Sequence, residues 1–202
     1  MRYKKRYSQF QMNNFSSSPM HPVEQASLLD CRFRLWFHNP RKLLKKFIRP
    51  GMTVLDLGCG TGYFTLEAAR LLNNNGKVIA ADLQQEMLDI LKQKLKNSEL
   101  EGIIEIHKCQ DNSLNLSEKV DFILAFYAFH EMKYIDNIIS DLTKIVKPET
   151  KVFIAEQKIH VPKNIFNTII DKLKNKGFEI CERPSISLSR AAIMKLKPTH
   201  TA

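Results

Sequence analysis

Residues 54–64 read Val-Leu-Asp-Leu-Gly-Cys-Gly-Thr-Gly-Tyr-Phe. The run 52–57 is short and apolar, the composition of a buried parallel strand. It stops at Gly58, and glycine recurs at Gly60 and Gly62. Beyond them Phe64, Ala68, Leu71 and Leu72 fall at helical spacing, which predicts a helix over 64–72. The order strand, glycine turn, helix lets a ligand lie against bare backbone beside the free N–H groups of a helix N-terminus. A dinucleotide turn of the form G-x-G-x-x-G needs a small residue at position 63, and Tyr63 stands there. The pattern is instead Asp-x-Gly-x-Gly-x-Gly, beginning at Asp56. A carboxylate at that strand end suits a ligand carrying a cation, such as an α-ammonium group, and repels a pyrophosphate.

Working outward, Asn39-Pro40 starts a helix, with Asn as cap and Pro in the first turn, and Pro50-Gly51 ends it. Apolar runs predict further strands over 77–81, 103–106, 120–126, 151–155, 178–181 and 191–196. Amphipathic spacing predicts helices over 85–95, 134–146 (ended by Pro148) and 163–175 (closed by Gly177). Strands alternating with helices imply an α/β fold: three layers around a doubly wound, mostly parallel sheet of seven strands. The last two strands have no helix between them, so an antiparallel pair is expected at one edge. Residues 1–19 are polar and basic and read as a disordered tail. Residues 20–50, aromatic-rich and including Trp36, are expected to be helical and to serve as a lid over a bound ligand or as packing across one end of the sheet, with 51–202 as the core domain.

No apolar run approaches the ~20 residues that cross a membrane. The cysteines Cys31, Cys59, Cys109 and Cys181 have neither metal-ligand nor redox spacing, which reads as a reduced, cytoplasmic protein with no metal site. The net charge of +10 fits a nucleic-acid partner as well as a solvated lysine-rich surface. The scatter of lysines over helical segments favours the solvated surface.

With Asp56, Gly58, Gly60 and Gly62 in place, the chain resembles the class I S-adenosylmethionine-dependent methyltransferases over about 50–196. The resemblance implies a Rossmann-like sheet and S-adenosylmethionine as cofactor. It implies a cofactor site made from Asp56, Gly58, Cys59, Gly60, Thr61, Gly62, Asp82, Leu83, Asp111, Asn112 and Phe126. Asp82 lies 20 residues beyond Gly62, at the end of the second strand, where a carboxylate can accept from both ribose hydroxyls. Asp82 also suits a helix cap, and Asp111-Asn112 also suits a plain turn.

In such folds the ligand lies past the carboxyl ends of the strands, so Tyr127 and His130, just beyond the fourth, are the candidate catalytic residues. At its ordinary value of about 6.5, His130 is neutral enough to act as a general base, with Glu131 following directly to orient it or a neighbour; it also suits a plain bond to a backbone group at the start of the next helix. Tyr127 and Trp36 offer aromatic faces for a sulfonium. The Asn/Asp-Pro-Pro-aromatic pattern of nucleic-acid amino methylation is absent here, as is the Pro-Cys pair of cytosine C5 enzymes. The segment 126–131 is more similar to small-molecule enzymes such as the quinone-biosynthesis C-methyltransferases. The resemblance therefore implies direct in-line methyl transfer to a small acceptor. The alternatives are an RNA methyltransferase and a non-catalytic cofactor-binding regulator. Oligomeric state is not legible.

Overall fold

The computed structural model describes residues 38–198. The tail, Trp36 and the expected helix before His38 lie outside the described residues. The strands are β1 (Thr53–Leu57), β2 (Lys77–Asp82), β3 (Ile104–Lys108), β4 (Val120–Phe126), β5 (Val146–Gln157), β6 (Phe178–Glu182) and β7 (Ser189–Leu196). The helices are α1 (Pro40–Leu44), α2 (Thr65–Leu72), α3 (Gln85–Leu95), α4 (Ile135–Ile145) and α5 (Lys163–Asn175), with a 3₁₀ turn at Phe129–Glu131.

Alternation along the strands sorts side chains onto two faces and so builds three layers. Val54, Val78, Phe122, Leu124 and Phe153 point to one face, with Leu44 from α1, Phe64 at the cap of α2, Ala68 from α2, and Leu88 and Leu91 from α3. Leu55, Ile79, Ile123, Val152 and Ile154 point to the other, with Ile139, Leu142, Ile169 and Leu173 from α4 and α5. Both faces are covered, which is why the central strands are apolar at nearly every position.

The sheet order is β3-β2-β1-β4-β5-β7-β6. The pairs among β1 to β5 are parallel, and β7 is antiparallel to both β5 and β6. The antiparallel pairing expected of the last two strands is present, with β7 inserted between β5 and β6. The reversal brings Ser189, the first residue of β7, opposite Gln157 and so to the carboxyl end of the parallel strands. The chain leaves β1 toward β2 and β3, then returns to β4 on its other side. That reversal opens a crevice at the ends of β1 and β4.

Two boundaries differ from the expected ones. Asn39 accepts the Lys42 N–H at 3.0 Å and Pro40 opens α1, but the helix ends at Leu44. The chain then turns inward so that Phe47 stacks on Phe122 at 5.4 Å and meets Phe153 edge-on. On the far side α4 passes directly into β5. The early part of that strand carries Pro148 and pairs only through Val146 with Val120, before a register shift. A proline cannot donate to the ladder, so regular pairing resumes at Lys151.

Candidate active site

The glycine turn is tied to its neighbours. The N–H groups of Gly58 and Cys59 both donate to the Ala81 carbonyl, at 2.8 and 3.1 Å. Gly58 has φ +73°, and a Cβ there would lie 2.7 Å from the Ala128 Cβ, so the loop after β4 can approach only a glycine. A Cβ at Gly62 would collide with Leu91 of α3. A Cβ at Gly60 would meet nothing within 4 Å, so the backbone there borders open space. Cys59 and Thr61 are buried within the turn, and the Thr61 carbonyl accepts from Lys94 Nζ at 3.0 Å. Burial, then the nearby Asp56 and Asp82 charges, push the Cys59 thiol up, so it stays neutral and is no nucleophile.

Asp82 closes β2. Its Oδ2 accepts the Gly60 N–H at 2.8 Å and its Oδ1 accepts the Gln84 N–H at 2.8 Å. The second bond makes an Asx-type turn, while Gln84 is the residue at the α3 cap. A carboxylate has about four lone-pair sites, so both oxygens keep room for another donor. Burial raises the carboxyl, against the lowering effect of N–H bonds from Gln84, Gly60 and Leu83. Leu83 is half-buried, and its carbonyl accepts from Lys108. After β3, the Cys109 N–H donates to the Asp82 carbonyl at 2.9 Å. Asp111 and Asn112 follow as the exposed central pair of a turn closed between Gln110 and Ser113.

Asp56 is 3% exposed, and its Oδ2 accepts from Thr65 Oγ1 at 2.6 Å. Burial raises its carboxyl from 3.8 to about 7, with the Thr65 bond pulling down and the Asp82 charge adding to the rise. A ligand that brings positive charge to this point relieves both carboxylates. The folded-state value lies above the unfolded one, so the stability Asp56 contributes is complete below 3.8 and is lost as pH rises to about 7. A rise of this size corresponds to about 4 kcal/mol. In urea unfolding of the ligand-free protein, Asp56→Asn is expected to gain on wild type by up to about 4 kcal/mol between about pH 4 and pH 8. A difference that stays constant with pH would show that Asp56 is not held protonated by the fold.

The end of β4 divides its residues between the two faces. Phe126 is buried, with its ring centroid 4.3 Å from that of Phe64 and 4.4 Å from that of Tyr127, filling the space below the start of α2. Tyr127 has φ +66°, a left-handed bend that costs a non-glycine residue about 1 kcal/mol or more. Its hydroxyl lies 2.6 Å from Ser189 Oγ and 3.1 Å from His38 Nε2. The His38 Nε2 lies 2.9 Å from the Ser187 carbonyl, a partner that can only accept. This cluster joins β4, β7 and the chain ahead of α1.

His130 goes the other way, to the α5 face. Its Nδ1 is 2.6 Å from Glu156 Oε2, and its backbone N–H donates to Glu156 Oε1 at 3.3 Å. Its Nε2 is 3.7 Å from Glu131 Oε1. Glu156, near the carboxyl end of β5, is 0% exposed. Burial by itself would lower the imidazole, but the Glu156 bond and the Glu156 and Glu131 charges outweigh it, so its pKa is raised above 6.5. The expectation of an ordinary histidine is thereby corrected: a buried carboxylate from a distant strand meets Nδ1.

A family model described as a methyltransferase domain matches residues 48–196. The chain belongs to this family. Among curated relatives, the ubiquinone/menaquinone biosynthesis C-methyltransferase UbiE of Vibrio vulnificus (strain YJ016) is 27% identical over 148 residues, or 72% of this chain and 51% of that protein. The chain thus spans about half the length of the curated relatives it matches. A S-adenosylmethionine-dependent methyltransferase from Aquifex aeolicus superimposes with TM-score 0.77 at 25% identity, over 87% of this chain and 98% of that one. The ribosomal protein L11 methylase of Lactobacillus delbrueckii subsp. bulgaricus shares the fold, with TM-score 0.59 at 18% identity over 81% and 79%.

The methyltransferase family carries S-adenosylmethionine as its cofactor. The residues present fit that group: open backbone at Gly60, a fixed carboxylate with spare lone pairs at Asp82, and a buried acid at Asp56. Among the described residues, no group of three or more His, Cys, Asp or Glu could hold a metal ion, and no helix is long and apolar enough to cross a membrane. Sequence reasoning missed Thr65, Glu156, Ser189 and His38. Only Glu156 left a signal, a lone charge ending the apolar run Val152-Phe153-Ile154-Ala155.

Proposed function

We propose that this methyltransferase domain binds S-adenosylmethionine across the glycine turn and methylates a small-molecule acceptor held beyond the ends of β4 and β5. The observation that carries the reading is the Asp82 carboxylate, fixed by the Gly60 and Gln84 N–H groups beside open backbone. In this reading Asp82 takes the ribose hydroxyls, and Leu83, Asp111 and Asn112 border the adenine. Asp56, oriented by Thr65, sits toward the ammonium group. The turn from Gly58 to Gly62 lies along the amino-acid portion, with Phe126 as the floor beneath it. When bound, the cofactor supplies an electrophilic methyl group on a positively charged sulfur.

The chain's own work is to align the acceptor, exclude water and move a proton. Gly58 against Ala128 brings the β4 loop onto the turn, so the two halves of the site adjoin. Tyr127 is held by Ser189 and His38 with its ring fixed, and His130 is the base. Of the lid expected over 20–50, His38 is bonded at this end of the sheet, while Leu44, Phe47 and Ile48 are packed into the core. The relatives named as quinone-biosynthesis C-methyltransferases support a small-molecule acceptor. The free thiol of the exposed Cys181 fits a reducing, cytoplasmic location.

The test supplies methyl-labelled cofactor and the protein to separated metabolite and RNA fractions of a cell extract. Label in the metabolite fraction is expected. Label in RNA alone would overturn the small-molecule reading, and binding without any labelling would favour a regulator.

A further inference from the structure

We infer that Glu156 is a positioning residue for His130, holding the proton on Nδ1 so that Nε2 faces an acceptor which loses a proton as it is methylated. The inference rests on the proposed function and narrows its acceptor to a hydroxyl, an N–H or an activated C–H.

The geometry of Glu156 is expensive for a merely structural residue. It is fully buried at the end of an apolar strand, where a carboxylate costs several kcal/mol of desolvation before its contacts offset it. Its contacts all go to one place. Oε1 accepts the His130 backbone N–H, Oε2 meets His130 Nδ1, and the Phe129 N–H also points to the carboxylate. Burial raises the Glu156 carboxyl, and the His130 and Phe129 contacts pull it back down; as the carboxylate it accepts only, which makes Nδ1 the donor and leaves the lone pair of the neutral ring on Nε2. Glu131 Oε1 lies 3.7 Å from Nε2, too far for a hydrogen bond, and its charge favours the imidazolium that forms once Nε2 has taken a proton. On β7, Arg190 is paired in register with Glu156, but its guanidinium turns away to the Val161 and Lys158 carbonyls. From α5, Lys172 reaches Asp136.

The step balances within these groups. The acceptor's X–H electron pair becomes the new X–C bond, and the proton passes to Nε2. Sulfur keeps the electron pair of the C–S bond that breaks. The resulting imidazolium is paired with the Glu156 carboxylate until the proton leaves to water.

The test is side-chain ¹⁵N NMR of the histidines as a function of pH, on wild type, Glu156→Gln and Glu156→Asp, each saturated with S-adenosylhomocysteine. Retained ligand affinity and the backbone spectrum report folding. In wild type, the neutral form of His130 is expected with Nδ1 protonated and Nε2 bare, titrating above the ordinary histidine value. In Glu156→Gln the midpoint is expected to fall by about one pH unit or more, and Glu156→Asp is expected to restore part of it. Methyl transfer to whichever extract fraction wild type labels should fall about 10²-fold or more in Glu156→Gln. A neutral His130 protonated at Nε2, or one titrating alike in wild type and Glu156→Gln, would overturn the inference. A wild type that labels no fraction would overturn the proposed function instead, leaving the NMR result to decide Glu156.

Discussion

His130→Gln is expected to lower turnover by about 10²- to 10⁴-fold while S-adenosylmethionine affinity stays unchanged. Glutamine is the informative replacement because it retains an N–H donor for Glu156. Alanine would remove the side-chain partner of a carboxylate that is 0% exposed, leaving it only backbone N–H groups, and breaking a buried pair costs about 3–5 kcal/mol. Both variants should lose turnover alike, and only His130→Ala should also unfold at markedly lower urea. The wild-type rate is expected to rise with pH, since the base must be unprotonated. Its midpoint should lie above 6.5, because the Glu156 and Glu131 contacts outweigh burial at the imidazole. A rate that is flat through this range, with a near wild-type His130→Gln, would return His130 to a packing role.

Asp82→Ala is expected to weaken S-adenosylmethionine binding by about tenfold to a few hundredfold, the loss of one or two hydrogen bonds to a charged acceptor. Removing the side chain also frees the Gly60 and Gln84 N–H groups it holds, so the turn loses one of its anchors as well. Asp82→Asn keeps an acceptor oxygen and should lose less, about tenfold. The measurement is calorimetric titration of folded variants. Equal affinities across wild type and both variants would move the ribose contact away from Asp82.

How much of this was legible beforehand depended on whether a signal was local. The glycine turn, Asp82 and the apolar strands are local, and each lies where its spacing puts it. The order of the last two strands was legible only in retrospect. Ala191 to Met194 are all buried, as an inner strand requires, whereas β6 buries only Phe178 and exposes Glu182. The Glu156–His130 pair was not legible, since 26 residues and a helix separate the partners and only the parallel pairing of β4 with β5 brings their ends together. For the same reason Ser189 could not be connected to Tyr127 until β7 was placed against β5. Thr65 looked like any helix-start residue, although its hydroxyl is the one that holds Asp56.

The cofactor assignment is tested most directly by urea unfolding with and without S-adenosylmethionine at about 100 times its dissociation constant. The expected result is a gain of about 2.7 kcal/mol, matched by S-adenosylhomocysteine at the same saturation. No gain with either ligand, together with a gain on adding a nicotinamide dinucleotide, would contradict it.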